Sequence, residues 1–283
     1  MASNRILQDL LAQAGLPDVS DGHDTGGGSF GGTSRLTLTD GREVFLKTQR
    51  DAPAGFFQAE ALGLQALAET NAIHVPEVLA VSDSGLLMEW LSGSPASDYA
   101  ERLGEQLATL HRHTSDAFGF EMDNFCGLTP QPNPRMADGF AFFAEARLEH
   151  QARLAQQGGL LQSRDIKCIE AIASRLQDWI PEQPASLIHG DLWSGNVHCG
   201  PSGEPVLIDP AAHYGWAEAD LAMTTLFGRQ APAFYQAYAE AADLDPDWEE
   251  RIPLYNLYHL LNHLNLFGGG YLSSVRAVLD RFG

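Results

Sequence analysis

Basic residues are scarce in this chain of 283 residues. It has 17 lysines and arginines against 37 aspartates and glutamates, which gives a formal net charge of −20. A surface of that sign repels the phosphate backbone of nucleic acids, so no nucleic-acid partner is expected. We interpret the acidity as a contribution to solubility rather than as a site that collects cations.

Cysteines are also few, and long apolar runs are missing. Cys126, Cys168 and Cys199 are an odd number at irregular spacing, which speaks against a disulfide framework and against a CxxC zinc site. No stretch reaches the roughly 18 apolar residues of a membrane span, and the first residues lack the pattern of a signal peptide. We therefore expect a cytoplasmic protein with reduced thiols and no membrane partner.

The order of the sequence patterns predicts two lobes. A length of 283 residues allows about two domains. A hairpin around the Asp40–Gly41 turn, a helix from Ala54 to Glu69 and a second strand pair with its turn at 83–85 are predicted first. We therefore predict an α+β fold. A small N-terminal antiparallel β-sheet lobe with one helix (residues 1–91) would precede a larger, mainly helical lobe (residues 92–283), with a cleft between them.

Apolar residues at helical spacing predict several helices outside the first sheet. They run along residues 6–14, from about Asp138 to Gln156, from about Ser163 to Trp179, and around Leu254 to Phe267. Short strands are predicted at 186–188 and 205–208, and a proline-rich surface loop from Gly127 to Pro134.

The segment 189–196 carries the strongest chemical signal. It reads HGDLWSGN and fits the pattern H-x-D-x-x-x-x-N, and Asp209 follows at the end of the next apolar strand. Phosphoryl transfer needs a carboxylate that accepts the proton of the acceptor hydroxyl, and oxygen ligands that hold magnesium. Asp191 would be the catalytic base, and Asn196 and Asp209 would hold the metal. The alternative is a hairpin with polar turn residues, which does not account for all of these oxygen donors.

A glycine-rich segment lies upstream of the first hairpin. Gly26, Gly28 and Gly31 form a G-x-G-x-x-G pattern, whose backbone amides can approach phosphate oxygens closely. The pattern alone is weak, and a flexible glycine loop is an alternative. A Rossmann fold is disfavoured because a hairpin, not a helix, follows.

Lys47 and Glu60 extend the pattern. Lys47 ends a predicted strand, where it could meet the α- and β-phosphates of a nucleotide, and Glu60 lies on the following helix, where it could hold the lysine amine. Each residue taken alone could equally be a solvated surface charge. The order of glycine loop, strand lysine, helix glutamate, H-x-D-x-x-x-x-N and aspartate favours a bilobal protein-kinase-like fold.

With these residues, the chain resembles the fructosamine kinase (ketosamine kinase) family, within the protein-kinase-like and aminoglycoside-phosphotransferase-like enzymes. The resemblance covers nearly the whole chain and is carried by the segments 118–120, 123–125, 189–196, 208–211, 214–222 and 264–270. Members of the family often have a cysteine in the glycine loop, where this chain has Ser29, so no thiol switch is expected there.

The resemblance implies ATP-dependent phosphorylation, with Mg²⁺, of the sugar 3-hydroxyl of a ketosamine, the product of sugar glycation of an amine. The substrate would be a small-molecule ketosamine or a glycated lysine, and the reaction would serve deglycation repair. The resemblance also implies a nucleotide-binding hinge at 88–91, with Glu89, Trp90 and Leu91 at the adenine. Asp220 would brace the catalytic loop.

Several alternatives remain at this stage. The chain could phosphorylate another hydroxyl, as aminoglycoside, choline or homoserine kinases do, or it could be a catalytically silent nucleotide-binding module. A metallophosphatase would need D-x-H and G-N-H motifs, which the sequence lacks. The preferred sugar and the oligomeric state are open, and a monomer is compatible with the sequence.

Four aromatic residues have two interpretations each. Trp193 and Trp216 could stack on a sugar or fill the core. His259 and His263 lie one helical turn apart, as metal ligands can, but no acidic or cysteine third ligand accompanies them in register. We therefore interpret both histidines as core or surface residues.

Overall fold

An antiparallel five-stranded sheet forms the N-terminal part of the molecule. The structure is a computed structural model that describes residues 2–25, 32–49 and 51–283. The strands are β1 (Val19–Asp24), β2 (Gly32–Leu38), β3 (Glu43–Thr48), β4 (Val78–Ser82) and β5 (Gly85–Glu89), in the spatial order β1-β2-β3-β5-β4. The predicted hairpin and second strand pair are therefore confirmed.

Two helices cover the two faces of this sheet. They are α1 (Ala2–Ala14) and α2 (Phe56–Glu69). Successive side chains of a strand point to opposite faces, and accordingly Val44 and Leu46 of β3 pack in the cluster that contains Leu10 and Leu11 of α1. Lys47, next in the strand, therefore lies on the α2 side of the sheet.

The rest of the chain is mainly helical. Its helices are α3 (Tyr99–His111), α4 (Gly139–Phe142), α5 (His150–Gln157), α6 (Ser163–Ala173), α7 (Ala217–Met223), α8 (Pro232–Ala242), α9 (Trp248–Phe267) and α10 (Leu272–Phe282). A π-helix (Phe143–Glu149) joins α4 to α5, and 3₁₀ turns lie at Leu176–Asp178, Ser194–Asn196 and Gly269–Tyr271. Among the described residues, no helix is both long enough and apolar enough to cross a bilayer.

Short strands connect these helices and carry the candidate site. They are β6 (Thr114–Ser115), β7 (Asn124–Cys126), β8 (Thr129–Gln131), β9 (Ala185–Ile188), β10 (Val197–Cys199), β11 (Pro205–Leu207) and β12 (His213–Gly215). Strands β9 and β12 pair, and so do β10 and β11. The segment 189–196 therefore follows the buried strand β9, and Asp209 follows the buried strand β11.

Three sequence predictions need correction. The segment from Gly127 to Pro134 is not a surface loop, because it forms half of the β7–β8 hairpin and buries Gln131 and Asn133. The Nε2 of Gln131 donates to the side chain of Asn124, and Arg147 donates to Asn133, so these polar groups are satisfied in the interior. The predicted helix 163–179 ends at Ala173, and the predicted helix 138–156 is interrupted by the π-helix.

The core extends across the predicted lobe boundary at residue 91. One hydrophobic cluster contains Phe57 and Leu64 of α2 together with Leu103 of α3 and Leu207 of β11. A second cluster lies within the helical part and includes Trp216 and Leu257. The division into residues 1–91 and 92–283 stays a prediction.

The buried ion pair of Glu218 and Arg251 provides a test of the helical core. It links α7 to α9, and both side chains are under 10% exposed. In Glu218→Ala, the half-exposed Asp245 is the one carboxylate left to Arg251 within the described part of the chain. We expect the free energy of unfolding to fall by about 3–5 kcal/mol, the range seen when a buried pair loses one partner.

Urea unfolding followed by circular dichroism measures this change. Glu249→Ala, which removes the exposed pair of Arg229 and Glu249, is the control and should cost less than about 1 kcal/mol. Equal losses in the two variants would contradict the importance of the buried pair.

Candidate active site

The backbone of the segment 189–191 is tied to the segment that carries Asp209. His189 Nε2 lies 2.9 Å from the carbonyl oxygen of Ile208, and the amide of Ile208 donates to the carbonyl of Asn196 at 3.1 Å. Burial lowers the pKa of His189, and its Nδ1 accepts a hydrogen bond from the amide of Asp191. A neutral His189 protonated on Nε2 satisfies both contacts, and it fixes the two segments relative to each other.

Asp220 of α7 holds the same segment from the other side. Its carboxylate accepts hydrogen bonds from the amides of His189 at 2.6 Å and Gly190 at 2.8 Å. Burial alone would raise the pKa of Asp220, but the hydrogen bond from His111 and the charges and donors around it lower that pKa below its usual value. Gly190 has φ +82°, and a Cβ there would lie 2.2 Å from the carbonyl oxygen of Ala211. Only glycine fits this turn.

Asp191 lies at the end of this turn with a side chain that is 20% exposed. Burial, together with the charges of Asp209 and Asp220, raises its pKa to about 7. Asn196 Nδ2 donates to the backbone carbonyl of Asp191 at 2.8 Å and approaches its Oδ2 at 3.4 Å. This carboxylate therefore receives far less compensation than Asp220.

Lys47 connects the N-terminal sheet to the helical part. Its Nζ donates to Oε1 of Glu60 and to Oδ1 of Asp209, at 2.6 Å in both cases. Burial alone would lower the pKa of Lys47, but the two carboxylates raise it above its ordinary value, so the ammonium is retained. Asp209 has φ +56°, an uncommon conformation for a residue other than glycine, and one that clusters at functional sites.

A cavity of about 550 Å³ brings most of the predicted residues together. Among the predicted site residues, Lys47, Glu60, Trp90, Asp191, Asn196 and Asp209 line it. Thr25 and Gly32, which flank the glycine segment, line it as well. Gly26, Gly28 and Gly31 lie outside the described residues.

The predicted adenine site is represented in the cavity by Trp90 only. Glu89 and Leu91 are not among the described residues that line it. The amide of Glu89 donates to the carbonyl of Glu77 at 2.9 Å, so that donor is used within the sheet. Trp90 packs against Phe45 and under the guanidinium of Arg35. The roles of Glu89 and Leu91 stay predictions.

Asn196 and Asp209 have the chemistry of a magnesium site. Mg²⁺ prefers oxygen ligands and keeps several waters, so one or two protein donors are enough. Asn196 uses its Nδ2 toward Asp191, which leaves Oδ1 as the atom that can face a cation. Asp209 is 40% exposed and uses Oδ1 toward Lys47, which leaves Oδ2. The residues present therefore fit this cation.

The structure separates the aromatic residues whose roles were open. Trp216 is 3% exposed and lies in the core, whereas Trp193 is 38% exposed and lines the cavity. His263 lines the cavity too, but His259 is buried with its Nδ1 3.9 Å from Asp191 Oδ1. No acidic or cysteine residue accompanies these histidines in register along the sequence, but Asp191 and Cys126 approach His259 from distant parts of the chain.

Several residues that line the cavity had no role predicted from the sequence. They include Phe56, Phe125, Cys126, Asn262, His263 and Phe267. Apart from Phe56, these residues lie in or close to the segments 123–125 and 264–270, which carry the family resemblance, and that position was the only signal for them. Nothing in the local sequence showed that these segments face Asp191.

Comparisons with known proteins agree with this geometry. The sequence profile described as fructosamine kinase matches residues 2–282. The chain is 44% identical to a probable ketoamine kinase of Synechocystis sp., over 98% of this chain and 95% of that protein. It is 35% identical to the chloroplastic protein-ribulosamine 3-kinase of Arabidopsis thaliana, over 100% of this chain and 88% of that protein.

Solved structures confirm the protein-kinase-like fold. A candidate fructosamine-3-kinase of Thermobifida fusca superposes with a TM-score of 0.89 at 37% identity, covering 98% of both chains. A choline kinase from Streptococcus pneumoniae, at 13% identity, has a TM-score of 0.63 over 99% of this chain and 98% of that one, and this similarity shows the fold alone. The chain belongs to the fructosamine kinase family.

Proposed function

We propose that this protein is an ATP-dependent kinase that phosphorylates the sugar 3-hydroxyl of ketosamines. The observation that carries the proposal is the convergence of Lys47, Glu60 and Asp209 with Asp191 and Asn196 around one cavity, in a member of the fructosamine kinase family. The relatives named ketoamine kinase and protein-ribulosamine 3-kinase support this substrate class. Small ketosamines and glycated lysines both belong to it, and phosphorylation would serve deglycation.

The residues that line the cavity would have separate roles in phosphoryl transfer. Lys47 would contact the α- and β-phosphates while Glu60 keeps its ammonium in place. Asp191 would accept a hydrogen bond from the sugar hydroxyl and take its proton. The glycine segment and Trp90 would contact the nucleotide. Because the transition state is loose, positioning and electrostatic stabilisation should matter more than base strength.

Mg²⁺ would be held by Asn196 and Asp209, and when bound it supplies positive charge to the phosphates. The hydrogen bond that Lys47 donates to Asp209 keeps both side chains at the same end of the cavity. Trp193 is exposed at the cavity wall and could pack on the sugar or the amine moiety. We also propose a cytoplasmic location, since Cys126, Cys168 and Cys199 are all free thiols.

A direct assay of product formation tests the function. The protein is incubated with Mg²⁺ and ATP together with fructosyl-, ribulosyl- or erythrulosyl-lysine, and phosphorus and proton NMR identify the phosphorylated position. We expect a 3-phosphate from at least one ketosamine. Preferential phosphorylation of an aminoglycoside, choline or homoserine would contradict the substrate class, and nucleotide binding without any product would contradict the enzyme.

The variant Asp191→Asn tests the proposed base. It keeps the size of the side chain but removes the proton acceptor, so kcat should fall by about 10²–10⁴-fold. The KM for ATP should change little, because Asp191 is not assigned to the metal or the nucleotide. Steady-state kinetics measure both quantities. Asp116→Asn, at an exposed carboxylate, is the control, and a kcat of Asp191→Asn near that of the wild type would rule out the assignment.

The variant Asp209→Asn tests the proposed metal ligand. Loss of the charge should weaken Mg²⁺-dependent ATP binding, measured by calorimetry, and lower kcat by about 10²–10³-fold, as removal of one electrostatic stabiliser does. Glu60→Gln is the comparison, since it perturbs Lys47 but leaves the proposed metal ligands in place. Circular dichroism checks that both variants fold, and unchanged turnover in Asp209→Asn would refute the metal assignment.

A further inference from the structure

The side chain of the proposed base, Asp191, meets two side chains from distant parts of the chain. Cys126 ends β7, Asp191 follows β9, and His259 lies in the middle of α9. One potential ligand atom of each, a sulfur, a carboxylate oxygen and an imidazole nitrogen, lies within 4.8 Å of the other two. Neither Cys126 nor His259 has a role in the phosphoryl transfer proposed above.

His259 is the unusual member of this group. His259 is 5% exposed, and its Nδ1 is a buried nitrogen without a hydrogen-bond partner among the described residues. Burial, with the neighbouring His263 and Arg147, lowers its pKa to about 3, so the ring is neutral. A buried polar atom without a partner is costly and calls for an explanation. A neutral imidazole nitrogen is also the form that binds metal ions.

We propose that Cys126, Asp191 and His259 form a binding site for a thiophilic divalent cation such as Zn²⁺, and that this cation inhibits the enzyme by occupying the carboxylate of Asp191. The inhibitory part of the proposal rests on the proposed function, whereas the binding part does not. The site is distinct from the proposed magnesium site at Asn196 and Asp209.

The donor set selects the class of cation. Thiolate, imidazole and carboxylate are the common ligands of Zn²⁺, while Mg²⁺ is held by oxygen atoms. Zinc bonds of about 2.0–2.3 Å place tetrahedral ligand atoms roughly 3.3–3.8 Å apart. Asp191 Oδ1 and His259 Nδ1 are already 3.9 Å apart, so a shift of about 1 Å in the widest pair of the group would complete the geometry. Water would fill the fourth position.

The cation can reach this site from the cavity, because both Cys126 and Asp191 line it. On binding, the sulfur of Cys126 gives up its proton to solvent and forms the metal–sulfur bond, while His259 and the ionised Asp191 donate lone pairs. Burial, and the nearby charge of Asp191, raise the pKa of the Cys126 thiol. The free energy needed to deprotonate the Cys126 thiol therefore lowers the affinity of the site for the cation. We expect binding that a chelator reverses.

Spectroscopy with Co²⁺, a probe of zinc sites, tests the binding part without any substrate. The whole protein in a phosphine reductant should show a thiolate-to-cobalt charge-transfer band with tetrahedral d–d bands, and Zn²⁺ should abolish both. Cys126→Ser should lose the charge-transfer band, whereas Cys199→Ser and Cys168→Ser, at the other free thiols, should keep it. The same spectrum in Cys126→Ser and the wild type, or no such band in the wild type, would overturn the site.

Inhibition kinetics test the regulatory part. Free Zn²⁺ is fixed by a metal buffer in the presence of excess Mg²⁺ and ATP, and each variant is compared with its own uninhibited rate. Loss of ligands outside the first coordination shell already changes metal affinity by about 10–100-fold, so Cys126→Ser should raise the half-inhibiting concentration at least about tenfold. His259→Gln should act in the same direction and provides the test if Cys126→Ser does not fold.

The outcomes separate the two proposals. Inhibition that is equal in the wild type, Cys126→Ser and His259→Gln, and that excess Mg²⁺ relieves, would place the cation at the magnesium site and overturn the inference. A cobalt spectrum that depends on Cys126 in a protein that phosphorylates no ketosamine would uphold the metal site and reject the proposed function. Tight cobalt binding with full activity would reject the inhibition.

Discussion

The position of one ammonium group determines the geometry of the cavity. Lys47 Nζ lies between Glu60 of α2 and Asp209 after β11, and a largely buried ammonium is stable only with such partners. Since Lys47 belongs to the N-terminal sheet and Asp209 to the helical part, this pair of contacts joins the two across the cavity. The mixed hydrophobic cluster of α2, α3 and β11 supports the same arrangement through packing.

Three carboxylates, those of Asp191, Asp209 and Asp220, lie close enough to influence one another, and their surroundings differ. Asp209 is paired with Lys47, and Asp220 receives two backbone amides and His111. Among the described residues, the amide of Asn196 is the hydrogen-bond donor that approaches the side chain of Asp191, at 3.4 Å, and burial together with the other two charges raises the pKa of that carboxyl group. Groups with similar chemistry thus acquire different proton affinities, which is how one site can contain a charge stabiliser, a structural brace and a proton acceptor.

The sequence was sufficient for the parts of the molecule that depend on local pattern. Alternating and helical apolar spacing predicted the two strand pairs β2–β3 and β4–β5 and the helix α2, although not β1, and the H-x-D-x-x-x-x-N spacing selected residues that the structure brings together. It failed where the environment comes from distant residues. Gln131 and Asn133 are polar and flank prolines, yet they are buried because Asn124 and Arg147 satisfy their amides. The register of a helix likewise could not show that Cys126 and Asp191 approach His259.

The neutral state of His259 connects the proposed chemistry with the inferred metal site. A cationic side chain at that position would pair with Asp191, lower the pKa of its carboxyl group and weaken it as a proton acceptor. Burial keeps the imidazole uncharged, so Asp191 retains its proton affinity. The uncharged ring also has a nitrogen lone pair beside the carboxylate of Asp191 and the thiol of Cys126. The neutral imidazole that preserves Asp191 as a proton acceptor also provides a ligand for the proposed thiophilic cation. The environment that prevents Asp191 from pairing with a cationic side chain therefore makes it sensitive to inhibition by a metal ion.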